Sequence, residues 1–118
     1  MLNILTLDEV RLGNTGNMAL SNSEISLLQK YFADKPVRRA YLFGSYARNI
    51  PVKGISDIDI LLELDYSKPI GMRYFSFQQE LEDLLQSKVD VVTSDGISKY
   101  VLPQIEKDKT LIYEAAQQ

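Results

Sequence analysis

Two aspartates separated by one residue follow a Gly-Ser pair by about a dozen positions in YLFGSYARNIPVKGISDID, residues 41–59. Residues two apart in a β-strand point the same way, with Cα atoms roughly 6.6 Å apart, so Asp57 and Asp59 would project together. Asp90, on a later predicted strand, is the natural third carboxylate. Three neighbouring carboxylates repel one another unless a cation or a proton compensates. The pattern therefore predicts a Mg²⁺ site, in which two ions could hold a triphosphate and activate a hydroxyl.

Gly44 and Ser45 offer the complementary half of such a site. A turn that opens onto a helix presents backbone N–H groups to a phosphate, and glycine permits close approach while serine adds a hydroxyl. Arg48, one turn further along, could neutralise phosphate charge. An exposed arginine on a solvated helix face is at least as well supported by the sequence alone.

Each of these short motifs also has an ordinary structural interpretation. Asp-x-Asp on a strand can discourage edge-to-edge aggregation, Gly-Ser is a common turn, and Asp90 could be a polar residue on a solvent face. An EF-hand is excluded because Leu61 and Leu62 stand where a ligand and the turn glycine are required. No G-x-x-x-x-G-K or G-x-G-x-x-G motif is present.

Composition narrows the possible chemistry further. The 118 residues, 45% hydrophobic and 25% charged, predict one soluble globular domain. The absence of Cys and His excludes thiolate nucleophiles, disulfides, a Ser-His-Asp triad and an HExxH zinc site.

The N-terminus matches no signal peptide and no apolar run is long enough for a membrane helix, so a cytoplasmic location is expected. The net charge of −3 argues against a general nucleic-acid coat, although residues 35–56 carry five basic residues and no acid.

Hydrophobic periodicity and capping signals divide the chain into alternating elements. Ser21 and Glu24 have capping-box spacing before the first amphipathic helix. Ser45 is expected to cap a short helix, and Ser67 with Pro69 is expected to open a long one. The predicted elements are helix 22–33, strand 38–43, short helix 45–49, strand 57–64, helix 69–86, strand 88–93, helix 103–108 and strand 110–114. Residues 1–20 are predicted to be an extension of a domain that spans 21–118.

The stretch LFGSYARNIPVKGISDIDILLEL, residues 42–64, together with DVV at 90–92, resembles the minimal nucleotidyltransferases of the DNA polymerase β superfamily. Their pattern is an apolar residue, Gly-Ser, about ten residues, Asp-x-Asp and a further Asp on a later strand, and the resemblance covers roughly residues 24–114. It implies an α/β (α+β) nucleotidyltransferase fold with a small mixed sheet flanked by helices.

The resemblance also implies roles for individual residues. Gly44 and Ser45 would hold the nucleotide phosphates, with Arg48 as a further candidate. Asp57 and Asp59 would bind two Mg²⁺ ions, and Asp90 would complete the site of the metal used for attack. One departure from the family pattern is Asn49, which stands where members often have glycine; Asn tolerates unusual backbone angles.

Family resemblance implies transfer of a nucleoside monophosphate from an NTP to a hydroxyl. Small stand-alone members are often antitoxins paired with a HEPN-domain RNase, and some transfer AMP from ATP to a toxin tyrosine. That is the leading hypothesis, with ATP as the substrate and a HEPN toxin as the partner. Membrane binding and stable nucleic-acid binding are not expected. The protein could form a homo-oligomer or a hetero-oligomer with the toxin. The alternatives are an aminoglycoside-type nucleotidyltransferase and a non-catalytic module that neutralises its partner by occlusion. Tyr74, Phe75 and Phe77 could contact a partner, but burial in the domain's own core is favoured.

Overall fold

A computed structural model describes residues 19–51 and 55–116 as a four-stranded sheet with helices on both faces. The strands are β1 (Val37–Phe43), β2 (Ile58–Leu64), β3 (Val89–Thr93) and β4 (Thr110–Glu114). The helices are α1 (Asn22–Ala33), α2 (Gly44–Ala47), α3 (Phe77–Leu85) and α4 (Leu102–Asp108), with two 3-10 helices at Gly71–Ser76 and Ser94–Gly96. Among the described residues, no helix is long and apolar enough to cross a membrane.

The sheet has the strand order β3-β2-β1-β4 and mixes both strand directions. β1 runs antiparallel to β2 and to β4, whereas β2 and β3 are parallel. As a result, the C-terminal end of β1 lies beside the N-terminal ends of β2 and β3. The predicted α/β (α+β) class with a small mixed sheet is confirmed.

The main hydrophobic core lies between one face of the sheet and helices α1 and α3. β2 alternates as predicted, so Ile58, Ile60, Leu62 and Leu64 join this core. Leu61 points to the opposite face, where it is also buried but lies outside the core cluster. Helix α4 contacts β1 and α2 and buries Ile105, which also lies outside that cluster. A short apolar contact region therefore anchors α4 on the second face, which also carries the acidic residues of β2.

Helix α1 has the predicted bounds and the predicted cap. The Ser21 hydroxyl accepts a hydrogen bond from the Glu24 backbone N–H at 3.2 Å, and the Glu24 carboxylate accepts one from the Ser21 backbone N–H at 2.9 Å. Both bonds satisfy backbone donors that a helix start leaves unpaired. The helix buries Ile25, Leu28 and Phe32 against the sheet.

The long helix predicted for residues 69–86 is wrong in its first half. Residues 71–76 form a 3-10 helix that begins at Gly71 with a left-handed φ of +48°, and α3 starts only at Phe77. A left-handed residue cannot continue an α-helix, which explains the shorter element. Phe77 is buried and Tyr74 packs against the core, as favoured from the sequence, whereas Phe75 is 72% exposed.

The predicted Ser45 cap is also wrong. Helix α2 begins one residue earlier, at Gly44, with Phe43 as its N-cap and no side-chain capping bond. An extended Phe43 at the end of β1 leads straight into the helix, so no capping residue separates them. Of the predicted extension 1–20, residues 1–18 lie outside the described residues, as do 52–54 of the loop. Leu20 is part of the core, and the Ala19 backbone N–H donates to the Tyr46 carbonyl at 3.0 Å.

Candidate active site

The turn from β1 into α2 lies directly against Asp59. Phe43 and Asp59 are paired residues of the antiparallel β1–β2 ladder, so the residue after Phe43 passes over the Asp59 side chain. A Cβ atom added to Gly44 would lie 2.2 Å from Asp59 Oδ2 and 3.2 Å from its Cγ. Gly44 also has a left-handed φ of +72°. The position therefore requires glycine for both space and backbone conformation.

The parallel β2–β3 ladder places the third aspartate beside the pair. Asp90 is the register partner of Asp59, and neighbouring strands lie about 4.8 Å apart. Asp57 lies one residue before β2 and is exposed, as is Asp90, whereas Asp59 is half-buried between them. The structure thus brings Asp57, Asp59 and Asp90 to the end of the sheet at which the Gly44 turn lies.

This crowding changes the acidity of the central carboxyl. Burial, together with the negative charges of Asp90 and Asp57, raises the pKa of Asp59 to about 6, while the positive charge of Arg48 partly opposes this rise. Both causes disfavour the ionised form, because burial removes solvation and like charges repel. The Asp59 carboxylate is therefore the member of the trio that gains most from a cation.

Whether the trio fits Mg²⁺ depends on how the ion would be coordinated. In the part of the chain that the structure describes, no group of three or more acidic side chains is placed to hold a metal ion, so the protein alone forms no cage of carboxylates around an ion. Mg²⁺ seldom needs such a cage, because it keeps several waters and binds through one or two carboxylates plus substrate phosphates. The hard carboxylate oxygens and the raised Asp59 pKa fit the ion, with the remaining ligands left to solvent and nucleotide.

Arg48 lies at the C-terminal end of α2, close enough to the candidate site for its charge to act there. Its positive charge acts on Asp59, which places the guanidinium near the carboxylates. Arg48 Nη1 also donates to Asp108 Oδ2 in an ion pair between α2 and α4. Sequence reasoning missed Asp108, because a pairing across sixty positions of the chain leaves no local signal. Only its i,i+4 relation to Gln104, which donates to the same oxygen at 2.8 Å, could be read from the sequence.

The loop after α2 accommodates Asn49, which stands where members of the family often have glycine. Asn49 has a left-handed φ of +59°, a conformation in which glycine is common and Asn is the best-tolerated alternative. The Ile50 backbone N–H donates to the Ser45 carbonyl at 2.9 Å, which ties the loop back to the Gly44–Ser45 turn. Ser45 itself is half-buried next to Gly44.

Comparison with known proteins agrees with this geometry. The family model described as polymerase beta, nucleotidyltransferase matches residues 26–118. A protein of Methanocaldococcus jannaschii that carries the name of a protein adenylyltransferase is 44% identical over 79 residues, which cover 65% of this chain and 76% of that protein.

Two solved structures share the fold. A toxin–antitoxin structure with AMP-PNP matches with a TM-score of 0.62 and 25% identity, covering 80% of this chain and 74% of that one. A complex of a tri-AMPylated Shewanella oneidensis HEPN toxin with an MNT antitoxin matches with a TM-score of 0.53 and 24% identity, covering 89% and 72% of the respective chains. Because the family model spans most of the domain and its signature residues meet at one site, the chain belongs to the polymerase beta nucleotidyltransferase family.

Proposed function

We propose that this protein transfers AMP from ATP to a hydroxyl of a partner protein, with a tyrosine of a HEPN toxin as the acceptor, and thereby acts as an antitoxin. The observation that carries the proposal is the contact of the Gly44 turn with Asp59, which is itself paired with Asp90. A phosphate-binding turn beside a carboxylate site suits a polyphosphate that binds together with a divalent cation.

Each residue of the site has a distinct role in this proposal. Gly44 and Ser45 bind the nucleotide phosphates at close range, and Arg48 neutralises phosphate charge. Asp57 and Asp59 would hold Mg²⁺ ions, and Asp90 would complete the ligand set of the ion that activates the acceptor. Bound Mg²⁺ would screen the triphosphate and lower the pKa of the attacking hydroxyl. The acceptor hydroxyl releases its proton to solvent, its oxygen forms a bond to the α-phosphorus, and the bond from that phosphorus to pyrophosphate breaks, so that pyrophosphate leaves with the electron pair.

The position of Asp90 supports a large acceptor. Asp90 is exposed and lies on β3, an outer strand of the four-stranded sheet. An acceptor attached to another protein can approach such an edge, whereas a small molecule would need a second domain or a second copy to enclose it. The relative's name as a protein adenylyltransferase and the toxin–antitoxin similarity support the same interpretation. The cytoplasm is the expected location.

The proposal is tested by expressing this chain together with the product of the neighbouring reading frame, which the proposal expects to be a HEPN-domain protein. We expect the two proteins to co-purify, and intact-mass and peptide analysis to find AMP on a tyrosine of the partner only when ATP and Mg²⁺ are present. A partner that is bound and neutralised without gaining AMP would support occlusion instead. Label transferred from ATP to an aminoglycoside, with none on protein, would support the small-molecule alternative.

Mg²⁺ binding should weaken as the pH falls through about 6. The pKa of Asp59 lies near 6 in the absence of metal, and a proton on that carboxyl must leave before the ion binds. From pH 7.5 to pH 5 we therefore expect Mg²⁺ affinity, measured by calorimetry with a non-hydrolysable ATP analogue present, to fall about tenfold. An affinity that stays constant over this range would contradict a metal-binding role for Asp59.

A further inference from the structure

We propose that Asp108 is a positioning residue that holds the Arg48 guanidinium over the nucleotide site. This inference rests on the proposed function, because it concerns how the same site binds Mg-ATP. Neither the motif nor the family resemblance points to Asp108, which lies outside the Gly-Ser and Asp-x-Asp segments.

The Asp108 carboxylate is largely buried and accepts two hydrogen bonds, which hold it in place. It is the last residue of α4, and its side chain is only 7% exposed. One oxygen, Oδ2, accepts hydrogen bonds from Arg48 Nη1 and from Gln104 Nε2, the latter at 2.8 Å. Burial opposes ionisation, yet the hydrogen bonds from Gln104 and Arg48 keep the pKa of Asp108 below its usual value. The carboxylate is therefore charged and fixed near neutral pH.

Arg48 needs such a fixed partner. It is the C-cap residue of α2, its side chain is 42% exposed, and a long arginine side chain in solvent samples many rotamers. The ion pair removes this freedom before any ligand binds. A guanidinium has five N–H donors, and the contact with Asp108 Oδ2 involves Nη1, which leaves donors for a phosphate. A guanidinium held in place beside Asp59 loses less entropy when it binds a phosphate.

Simple charge predicts the opposite effect for this carboxylate. A negative side chain close to a triphosphate repels it, so removing Asp108 should strengthen Mg-ATP binding if the residue were only a structural link between α2 and α4. A positioning role predicts weaker binding, because Arg48 would then be free to move away from the phosphates. The sign of the change in affinity therefore separates the two roles.

The test is a double-mutant cycle with Mg-ATP as the probe. We expect Asp108→Asn to raise the Kd for Mg-ATP about tenfold, the scale of one hydrogen bond to a charged group. Arg48→Ala should raise the Kd by at least as much, and the double variant should bind no more weakly than Arg48→Ala alone, because Asp108 acts only through Arg48. Asp108→Glu should recover part of the affinity if the carboxylate, rather than the local packing, is what matters.

Glu106→Gln is the matched control. Glu106 lies on the same helix and pairs with Lys109 at 3.1 Å, so this variant removes one negative charge without touching Arg48, and its affinity should stay at the wild-type value. Thermal unfolding verifies that each variant is folded. Unchanged or tighter binding in Asp108→Asn, or additive effects in the cycle, would overturn the positioning role while leaving the proposed function intact. A wild-type chain that does not bind Mg-ATP would overturn both.

Discussion

Asp59→Asn is expected to lower AMP transfer by at least about a hundredfold, the scale of losing a major electrostatic group at a reacting centre. The same variant should be more stable than the wild type when no metal is present. Half-burial and the charges of Asp90 and Asp57 raise the pKa of Asp59 to about 6, above its ordinary 3.8. The folded protein therefore binds this proton more tightly than the unfolded chain does. Stability from this group is present at low pH and is lost as the pH rises through about 6.

At pH 7.5 the folded wild type therefore contains an ionised Asp59 carboxylate next to other negative charges. Asn has nearly the same shape as Asp but carries no charge. Since Asp59 is partly solvated, we expect a gain of only about 1 kcal/mol in the free energy of unfolding. Chemical denaturation of both proteins at pH 7.5 without metal measures this gain. It should disappear at pH 4, where the wild-type carboxyl is also neutral.

Asp95→Asn is the control for loss of one negative charge. Asp95 lies beyond the other end of β3 and accepts a hydrogen bond from the Tyr66 hydroxyl at 2.6 Å. This variant should keep wild-type transfer. Wild-type transfer in Asp59→Asn would exclude the carboxylate site as the reaction centre. An Asp59→Asn variant that is less stable than the wild type at pH 7.5 would mean that the surroundings of Asp59 stabilise its ionised carboxylate overall.

The parts of the fold that could be predicted are those whose signals are local. The capping box of Ser21 and Glu24 predicted the start of α1, and the alternation of β2 predicted its end at Leu64 and its two faces, although the strand starts one residue later than predicted. Residues 69–86 were predicted incorrectly because their apolar spacing fits one long helix, while the left-handed φ at Gly71 depends on the tertiary path of the chain. A glycine inside a helical pattern can be either tolerated or conformationally required, and spacing does not distinguish the two cases.

The same division holds for the candidate site. Asp57 and Asp59 are two residues apart, so strand geometry predicted that they would lie close together; Asp57 lies one residue before β2, and its charge acts on Asp59. That Asp59 pairs with Asp90 depends on the parallel register of β2 and β3, which no local pattern encodes; the resemblance implied only that Asp90 would join the site. The ion pair of Arg48 with Asp108 depends on how α4 lies across the second face of the sheet, which neither helix reveals. Sequence motifs therefore identified the candidate reactive groups, whereas tertiary packing determines which other side chains lie beside them.

Gly44→Ala is expected to change both the geometry of the candidate site and the stability of the fold, and the two effects can be measured separately. The new Cβ would lie 2.2 Å from Asp59 Oδ2, so the carboxylate has to turn away from the turn that faces it. A misplacement of about 1 Å in a catalytic group can reduce the rate about a hundredfold, and we expect a loss of transfer of at least that size. The left-handed φ of +72° adds about 1–2 kcal/mol of backbone strain. Transfer kinetics and chemical denaturation measure the two effects separately.

Gly71→Ala provides the matched control for that strain. Gly71 also has a left-handed φ, of +48°, but a Cβ atom at this position would meet nothing within 4 Å. The two variants should therefore lose similar stability, whereas Gly71→Ala should keep wild-type transfer because the Asp59 carboxylate stays in place. Equal transfer in both variants would mean that the close approach of the β1–α2 turn to Asp59 has no part in the reaction. Selective loss in Gly44→Ala would show that the phosphate-binding turn and the carboxylates act as a single unit.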